Sequence, residues 1–445
     1  MQQVNLGMIG GGTVGSGVFH ALQRNGDLIA SRIGVKVKVR KIAVKAFDEP
    51  RPYAIPPSYM TTDWQTVVND PEVQIVTELV GGITLARTIT LAALKLGKAV
   101  ISANKALISA HGEELFAAAQ ENKTNLYYEA SVCGGIPIIK VLREGFVGNR
   151  ITHLYGIVNG TCNYILTRMK LEGADFESVL KDAQALGYAE AEPSLDIDGH
   201  DALHKIGILA SLAHGFWVKP QDIHVEGIRG ITQADIRFAN DLGYTIKLLG
   251  IIKKGEGRRE KGEGKKQSGP RIQVSVYPTL VPNAHVLAGV NHVFNAVFVR
   301  GDVVGDTLFY GRGAGKDATA SAVLSDLADA ALDLKLGTKQ RVPAFVPHER
   351  KGSVAPIDEV VSQYFIRLDV VDMPGTLAKI AKIFGDAKIG ISSVIQPEGH
   401  EGASVPVILM LHDAPNGAVC KALKKIGQLS VIKGAPVMLR VEDFE

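Results

Sequence analysis

Residues 1 to about 130 alternate short β-branched runs with longer stretches of helical period. The apolar runs are VNLGMIG, VKVKVRKIAVKA, IVTELVGG and AVISAN, and the stretches between them include TVGSGVFHALQRNG and TLARTITLAALKLG. Strands that alternate with helices in this way are typical of βαβ units. The pattern therefore predicts an α/β domain with a doubly wound parallel sheet over residues 1–134.

The pattern becomes mixed over residues 135–305, where strands such as HLYGIVNG and IQVSVYPTLV stand beside helices such as DALHKIGILASLAHG. This predicts an α+β domain for substrate binding and dimerisation. The glycine-rich turn GRGAGKD then opens the helix ATASAVLSDLADAAL, so we expect residues 306–340 to return to the first domain. Residues 341–361 are rich in proline and charge and lack periodicity, which is typical of a linker.

A new pattern begins at residue 362 and continues to residue 445. Four strands (YFIRLDVVD, ISSVIQ, VPVILMLHD, VMLRV) and two helices (GTLAKIAKIFGDA, GAVCKALKKIG) follow one another in the order βαββαβ, a ferredoxin-like arrangement. Four apolar side chains of the first helix share one face and are expected to be buried against the sheet: Leu377, Ile380, Ile383 and Phe384.

Composition narrows the class of protein. The length of 445 residues suggests about three domains at roughly 150 residues each. The net charge is +3, and residues 253–271 hold eight Lys/Arg against three Glu, so the rest of the chain carries about −2. That stretch has no aromatic residue to stack on a base, and we interpret it as a solvated hairpin loop and expect no nucleic-acid partner.

The cysteines and the N-terminus indicate a reducing compartment. Cys133, Cys162 and Cys420 form no CxxC pair and have no His at metal-ligand spacing, which argues against disulfides and zinc. The N-terminus lacks the features of a signal peptide, and no apolar run reaches the roughly 18 residues of a membrane span. We expect a cytoplasmic protein with no membrane partner.

Three glycines form a G-x-G-x-x-G motif directly after the apolar strand and directly before a helix. The first allows a tight turn, the second lets the backbone approach a pyrophosphate, and the third lets helix and strand pack closely. The unpaired amides of the helix N-terminus complete an anion site. The sequence therefore predicts a Rossmann-type dinucleotide site at Gly10, Gly12, Thr13, Val14 and Gly15.

The residues after the second strand bear on cofactor choice. An acid at the end of that strand holds the ribose 2′-hydroxyl when the cofactor is NAD. Here the strand is predicted to end at Val44-Lys45-Ala46, with Asp48 a few residues later. A cation at this place favours the 2′-phosphate of NADP, with Lys45 or Arg40 as the contact. NAD stays open, because Lys45 is also compatible with a solvated strand-end lysine.

Asn104 and Lys105 follow another predicted parallel strand, at the carboxyl end where ligands of such sheets bind. A solvent-facing lysine is the alternative. Further on, Asp201 and Lys205 lie four residues apart, so on a helix both side chains project from one face. A solvent-exposed ion pair is one interpretation of this spacing. In the catalytic interpretation, Asp201 orients Lys205, whose ammonium delivers a proton to a carbonyl oxygen during hydride transfer.

The loop YEASVCGGIP combines one carboxylate, Glu129, with several freely turning carbonyls. Such a loop can wrap a monovalent cation. A plain Gly-Gly connection between two domains fits the same residues.

Seven segments, taken in order, resemble homoserine dehydrogenase over residues 4 to about 330. The most specific is GYAEAEPSLDIDGHDALHKIGILA, because generic Rossmann enzymes do not share it. The others are LGMIGGGTVG, ISANKALI, YEASVCGGIPII, GIVNGTCNYILTRM, DLGYTIKLLG and GRGAGKDATASAV.

The resemblance implies reversible NAD(P)H-dependent reduction of L-aspartate 4-semialdehyde to L-homoserine, on the way to threonine, methionine and isoleucine. It implies that Lys205 is the proton donor and Lys105 a second active-site lysine, with Glu190 and Asp201 holding the amine and hydroxyl end of the substrate. It also implies that Gly311 helps to close the cofactor pocket. A sodium-like ion would be held by Glu129 and by the carbonyls of Val132, Gly134 and Ile136.

Two departures from the family pattern are Ala318, where many relatives have proline, and the basic insert 253–271. A kinase fused upstream, as occurs in this family, is not expected, since three residues precede the first strand.

The C-terminal unit resembles an ACT domain through LDVVDMPGTL and IGISSVIQ. This resemblance implies an amino-acid effector, threonine, near Asp372 and Gly375, or a purely structural role in pairing chains as a homodimer or homotetramer. A non-catalytic sensor that binds dinucleotide and amino acid is the alternative to an enzyme. The acidic segment that ends at Lys205 argues against the sensor, because a sensor needs no proton donor.

Overall fold

The computed structural model describes residues 1–255, 269–338, 340–396 and 404–444. Its N-terminal sheet is parallel throughout, and the predicted doubly wound arrangement is confirmed. The strands are β1 (Gln2–Ile9), β2 (Val35–Ala43), β3 (Met60–Thr61), β4 (Ile75–Glu78), β5 (Ala99–Ser102) and β6 (Leu126–Tyr127). Their order is β3-β2-β1-β4-β5-β6. The order reverses between β1 and β4, and ligands bind outside the carboxyl ends of strands at such a point.

Four helices connect these strands: α1 (Thr13–Ile33), α2 (Trp64–Val68), α3 (Thr84–Lys95) and α4 (Lys105–Glu121). The second strand ends at Ala43, three residues before the predicted end at Ala46. The chain leaves the sheet there and runs toward Pro50 and Pro52, which have no amide hydrogen to donate to a neighbouring strand.

The middle of the chain builds a mixed sheet with helices packed on it. Its elements are α5 (Ile138–Lys140), β7 (Ile151–Ile157), α6 (Gly160–Glu172), α7 (Phe176–Ala185), α8 (Ser194–Ile197), α9 (His200–His214), β8 (His224–Val225), α10 (Gln233–Asp241), β9 (Tyr244–Lys254), β10 (Arg271–Pro282), β11 (Phe294–Gly301) and β12 (Gly305–Arg312). Strands β9 and β10 are antiparallel, which fits the hairpin predicted around the basic insert. Most of the insert itself lies outside the described residues.

Helix α11 (Lys316–Leu336) packs along α1 of the first domain. The contact is close, because a Cβ on Gly17 would lie 2.7 Å from the carbonyl oxygen of Lys316. The segment 341–361, expected to be a linker, is an ordered strap that includes β13 (Ser353–Val354). The Tyr128 hydroxyl donates to the carbonyl of Ala344 at 2.6 Å, which ties this strap to the first domain.

The C-terminal unit has the predicted βαββαβ order: β14 (Val361–Val371), α12 (Thr376–Asp386), β15 (Ile391–Ile395), β16 (Ser404–Pro415), α13 (Asn416–Ile426) and β17 (Ile432–Val441). Its last strand pairs in parallel with β10, so the unit continues the mixed sheet as β10-β17-β14-β16-β15. Among the described helices, none combines the length and apolarity needed to cross a bilayer.

The buried face of α12 differs from the prediction. Ile380 and Phe384 are fully buried, but Leu377 is 39% exposed. Thr376 is the residue of the first turn that is buried. Leu377 is seven residues before Phe384 and only about 20° from it around the helix axis, so its exposure comes from its place in the first turn and not from the face on which it lies.

Candidate active site

The glycine motif is built as a dinucleotide cradle at the carboxyl end of β1. Gly10 has φ +108°, and a Cβ there would lie 2.5 Å from the carbonyl oxygen of Leu79. A Cβ on Gly15 would lie 2.0 Å from the carbonyl oxygen of Gly10, so helix and strand can pack only without side chains. Gly12, by contrast, faces open space with no atom within 4 Å of its Cβ position. Because Thr13 and Val14 begin α1, the open side meets a helix N-terminus, and these residues fit a bound pyrophosphate.

The N-terminus of α11 lies beside this cradle. Gly315 precedes the helix with φ +111° and open space around it. The Tyr53 hydroxyl donates to Asp317 at 2.9 Å and joins the loop after β2 to this helix. Gly311 lies on β12, where a Cβ would meet Ile136 at 3.2 Å. Its part in closing the cofactor pocket stays a prediction, and Gly315 is better placed for it.

The two cations proposed for a 2′-phosphate have different surroundings. Lys45 is exposed and follows the end of β2 by two residues. The Arg40 guanidinium forms ion pairs with Asp70 at 3.3 Å and Glu72 at 2.5 Å. Since the charge of Arg40 is already matched, Lys45 is the better candidate of the two.

Helix α9 and the start of α4 bring the predicted catalytic lysines to one carboxylate. Lys205 Nζ donates to Asp201 Oδ2 and to the carbonyl of Val158, each at 2.7 Å. Lys105 Nζ approaches the other oxygen, Asp201 Oδ1, at 3.1 Å. Lys205 is 7% exposed, whereas the side chain of Lys105 is 40% exposed. One carboxylate therefore holds a buried ammonium and a more accessible one.

Charge matching decides the ionisation of this pair. Burial is the largest single influence on Lys205 and lowers its pKa, but the negative charge of Asp201, its hydrogen bond and the charges of Cys133 and Asp196 together outweigh burial, and the pKa is raised. Burial is also the largest single influence on Asp201 and raises its pKa, but the charges of Lys205 and Lys105, together with the hydrogen bonds from Lys205 and Asn159, outweigh burial, and the pKa is lowered. The pair is thus an ammonium and a carboxylate at neutral pH. Such an ammonium can protonate an alkoxide that develops next to it.

Two neighbours of the pair carry no role in the sequence analysis. Asn159 Nδ2 donates to Asp201 Oδ2 at 2.9 Å and to Asp196 Oδ1 at 2.8 Å, while its Oδ1 accepts the amide of Cys162 and caps α6. Burial, followed by the charge of Asp201, raises the pKa of Asp196. The position of Asn159 between a predicted strand and helix is a signal for an N-cap, but its reach to both carboxylates is not visible in sequence.

Glu190 stands apart from this cluster. It lies on the exposed loop between α7 and α8, and its carboxylate has no hydrogen bond or ion pair with the part of the chain that the structure describes. Only its backbone is held, because Gln184 Nε2 donates to the carbonyl oxygen at 3.1 Å. Substrate binding by Glu190 stays a prediction.

A buried acid that the sequence analysis missed, Glu78, organises the carboxyl ends of β4 and β5. Its carboxylate accepts the Ser102 hydroxyl at 2.7 Å and the Val80 amide at 3.0 Å, and burial raises the pKa of Glu78. Asn104, which caps α4, donates to the carbonyl of Gly82 at 2.6 Å. These bonds hold the turn from which Lys105 projects.

The proposed cation loop is buried and acidic. The Glu129 carboxylate accepts the amides of Ile139 at 3.0 Å and Lys140 at 2.8 Å, and its own amide donates to Asp326 at 2.9 Å. Burial raises the pKa of Glu129 to about 7 and also raises that of Asp326. The carbonyl of Ile136 already accepts one amide, from Ile138 at 2.8 Å. Two buried acids side by side fit a bound cation, which would offset their charge.

Family models match most of the first two units. The model described as "Homoserine dehydrogenase" matches residues 137–328, and the one described as "Homoserine dehydrogenase, NAD binding domain" matches residues 10–129. Neither extends into the C-terminal unit.

Relatives match over the whole chain. Homoserine dehydrogenase of Pseudomonas aeruginosa is 42% identical and that of Bacillus subtilis 38%, each covering at least 99% of both chains. The crystal structure of a homoserine dehydrogenase from Thiobacillus denitrificans superposes with a TM-score of 0.92 at 42% identity, covering 100% of this chain and 99% of that one. A hyperthermophilic archaeal homoserine dehydrogenase in complex with NADPH covers 75% of this chain and 98% of its own at a TM-score of 0.60 and 27% identity.

Proposed function

The chain belongs to the homoserine dehydrogenase family, and from this premise we propose that Lys205, held by Asp201, is the proton donor of its reaction. The protein is an oxidoreductase that interconverts L-aspartate 4-semialdehyde and L-homoserine with NAD(P)H or NAD(P)⁺. Because the chain matches homoserine dehydrogenases over its full length, the alternative of a non-catalytic sensor is not supported. The observation that carries the mechanism is the buried Lys205–Asp201 pair at 2.7 Å.

When bound, the nicotinamide ring supplies the hydride that reduces the aldehyde carbon. Lys205 donates its proton to the carbonyl oxygen, on which negative charge develops, and the product hydroxyl keeps that proton. Lys105 shares Asp201 and presents a second positive charge on the accessible side of the cluster. Asn159 fixes Asp201 and Asp196 relative to each other. We propose that these two carboxylates, together with Glu190, hold the amine and hydroxyl end of the amino-acid substrate.

The pH dependence of homoserine oxidation tests the pair. In that direction Lys205 must be neutral to accept the hydroxyl proton, so the rate of the wild type should rise with pH far into the alkaline range. In Asp201→Asn the counter-charge is lost and burial dominates, so the pKa of Lys205 falls and the rise should occur at lower pH. The measurement is kcat/KM for homoserine against pH.

Asp182→Asn, which removes a surface partner of Arg168, is the control and should leave the pH profile unchanged. If the pH profile of Asp201→Asn is the same as that of the wild type, the proton belongs to another group.

We propose NADP as the preferred cofactor, with Lys45 near the 2′-phosphate and NAD as a weaker alternative. The support is an exposed cation, and no acid, immediately after β2. The ratio of initial rates with NADPH and NADH measures this preference, and a ratio below one would reverse it.

We further propose that Glu129, with the carbonyls of Val132, Gly134 and Ile136, holds a sodium-like cation. The support is the buried pair of Glu129 and Asp326, whose ionised forms are disfavoured by burial and would be stabilised by a cation. A cation that binds only the folded state should raise Tm by a few degrees in sodium chloride relative to tetramethylammonium chloride at equal ionic strength. Glu129→Gln should remove that difference, and equal Tm values in the two salts for the wild type would refute the site.

For the C-terminal unit we propose an ACT-type role with threonine as effector at the turn between β14 and α12. Gly375 precedes α12 with φ +84° and open space. Gln396, which follows β15, donates through Nε2 to Asp372 of this turn at 3.1 Å. Initial rates should fall as L-threonine is added, and Asp372→Asn should weaken this inhibition at least about tenfold, because it removes the carboxylate of the turn that would meet the ammonium of the effector. Threonine-independent rates in the wild type would leave this unit with a structural role only.

We also propose that the enzyme works in the cytoplasm as a homodimer or homotetramer, in line with the dimerisation role expected for residues 135–305. Sedimentation equilibrium distinguishes the two assemblies, and a monomer at working concentration would contradict both.

A further inference from the structure

The junction between the C-terminal unit and the mixed sheet contains a deeply buried charge, Arg440 of β17, which is 1% exposed. Its guanidinium donates to both carboxylate oxygens of Glu226, at 2.8 and 3.0 Å, and to Asn416 Oδ1 at 2.8 Å. The Arg440 guanidinium also lies 4.2 Å from the ring centroid of Tyr277. A fork of this kind fixes the direction of its carboxylate partner, which a single ammonium cannot do.

Glu226 belongs to a short stretch, residues 224–229, that we term the bridging segment. Its edge is tied to the sheet, because the Glu226 amide donates to the carbonyl of Val276 at 2.8 Å. Within the segment, His224 Nε2 lies 2.7 Å from Glu226 Oε1. The side chain of Arg440 on β17 and the backbone of β10 therefore hold the bridging segment in one position.

The opposite side of the bridging segment packs directly on the turn that precedes α9. A Cβ on Gly227 would lie 2.3 Å from the carbonyl oxygen of Ile197, and the amide of Ile228 donates to that same oxygen at 2.8 Å. Arg229 Nε donates to Asp198 Oδ1 at 2.6 Å. The contact of Gly227 and Ile228 with the carbonyl of Ile197 leaves no space for the turn to move independently of the bridging segment.

That turn carries the acids of the active site. Asp196 lies one residue before Ile197, and Asp201 lies in the first turn of α9, where Gly199 caps the helix with φ +86°. A Cβ on Gly199 would lie 3.0 Å from Val225 of the bridging segment. The bridging segment thus contacts Ile197, the residue after Asp196, and Gly199, which lies two residues before Asp201.

We propose that Arg440 is a positioning residue for the reaction: from the last strand of the C-terminal unit it fixes the bridging segment, and through it the two carboxylates of the substrate site. Arg440 has no hydrogen bond to the described residues of the lysine–aspartate cluster, and it acts on the substrate site through Glu226. A displacement of β17 would be transmitted to Asp196 and Asp201 by the same contacts. The inference rests on the proposed roles of those two acids in the site.

The test compares Arg440→Lys with Arg367→Lys in the full-length enzyme. Arg367 forms another buried ion pair across this junction, to Asp235 at 2.7 Å. Asp235 lies in the first turn of α10 and, within the described residues, has no hydrogen bond or ion pair to the turn before α9. Arg440→Lys should raise KM for homoserine about tenfold, because a small displacement of the groups that hold the substrate weakens its binding. The KM for NADP⁺ should be unchanged. Arg367→Lys should change neither. Equal effects of the two variants on KM for homoserine would overturn the proposal.

A second readout does not depend on activity. Amide hydrogen exchange of a peptide covering residues 194–203 should be faster in Arg440→Lys than in Arg367→Lys, and unchanged exchange there would overturn the proposal. Glu226→Gln, which keeps the side-chain shape and removes the charge, should reproduce both effects if Arg440→Lys does not fold, and a normal KM and normal exchange in it would also overturn the proposal. If Asp196→Asn and Asp201→Asn leave KM for homoserine unchanged, the proposed substrate site fails, while the exchange experiment still decides the role of Arg440.

Discussion

Lys205→Met is expected to lower kcat for both reaction directions by about 10²- to 10⁴-fold, the range that a positioned general acid contributes. Methionine keeps the length and apolar volume of the side chain, so packing in α9 is retained. Asp201 would still be paired with Lys105 and Asn159, which limits the cost of losing the ammonium. The measurements are steady-state rates and the dinucleotide Kd, which should not change.

Lys98→Met is the matched control for that variant. Lys98 is also buried, at 8% exposure, and contacts the backbone carbonyl of Asp70, but it lies before β5, at the end of the sheet opposite the active site. Its replacement should leave kcat near the wild-type value. A Lys205→Met enzyme that keeps a rate within about threefold of the wild type, well short of the general-acid range, would show that another group protonates the substrate.

Gly12→Val is expected to weaken dinucleotide binding about 100-fold, because a side chain in the open cradle holds the phosphates away from the α1 amides. The loss of about 3 kcal/mol corresponds to one or two charge-assisted hydrogen bonds. The folded state should tolerate the change at a cost of about 1 kcal/mol for the altered N-cap, since nothing lies within 4 Å of the new Cβ. Fluorescence titration with NADPH measures Kd, and thermal unfolding measures the folded state.

Gly26→Val serves as its control, because Gly26 lies in the same helix, also faces open space, and is far along α1 from the cradle. Dinucleotide binding should be unaffected by that change. Full NADPH affinity in Gly12→Val would mean that the cofactor does not approach the backbone at this glycine.

The same titration resolves which cation meets the 2′-phosphate. Lys45→Ala should weaken NADPH binding by roughly threefold to tenfold, since an exposed charge contributes little more than about 1 kcal/mol, and should leave NADH binding unchanged. Arg40→Ala should change neither, because Arg40 is paired with Asp70 and Glu72. A loss of NADPH affinity confined to Arg40→Ala would assign the phosphate to Arg40.

Much of the fold could be predicted from sequence because its signals are local. The alternation of β-branched runs with stretches of helical period predicted the parallel sheet. The spacing of Gly10, Gly12 and Gly15 placed the dinucleotide cradle at the end of β1. The i,i+4 spacing likewise brought Asp201 and Lys205 to one face of a helix, as they are found. The error at Leu377 has another origin, because helical periodicity gives the angle of a side chain about the axis and not whether the sheet covers the first turn of the helix.

Other features of the site join residues far apart in the chain. Lys105 meets Asp201 across 96 positions, and Arg440 meets Glu226 across 214. Asn159 touches two carboxylates that its own neighbourhood in the sequence does not contain. Periodicity gives no information on such pairs, because it describes which face of an element is buried and not which element covers it.

For this protein, the sequence by itself determined the order of strands and helices, the dinucleotide cradle and the lysine–aspartate pair, because each depends on dihedral preferences and spacings within one or two turns of chain. Only the tertiary structure decided that one carboxylate serves two lysines, that Glu78 holds the turn before Lys105, and that the C-terminal unit continues the central sheet through β10 and β17. These arrangements depend on long-range packing, in which buried charges find partners from whichever elements the core brings together.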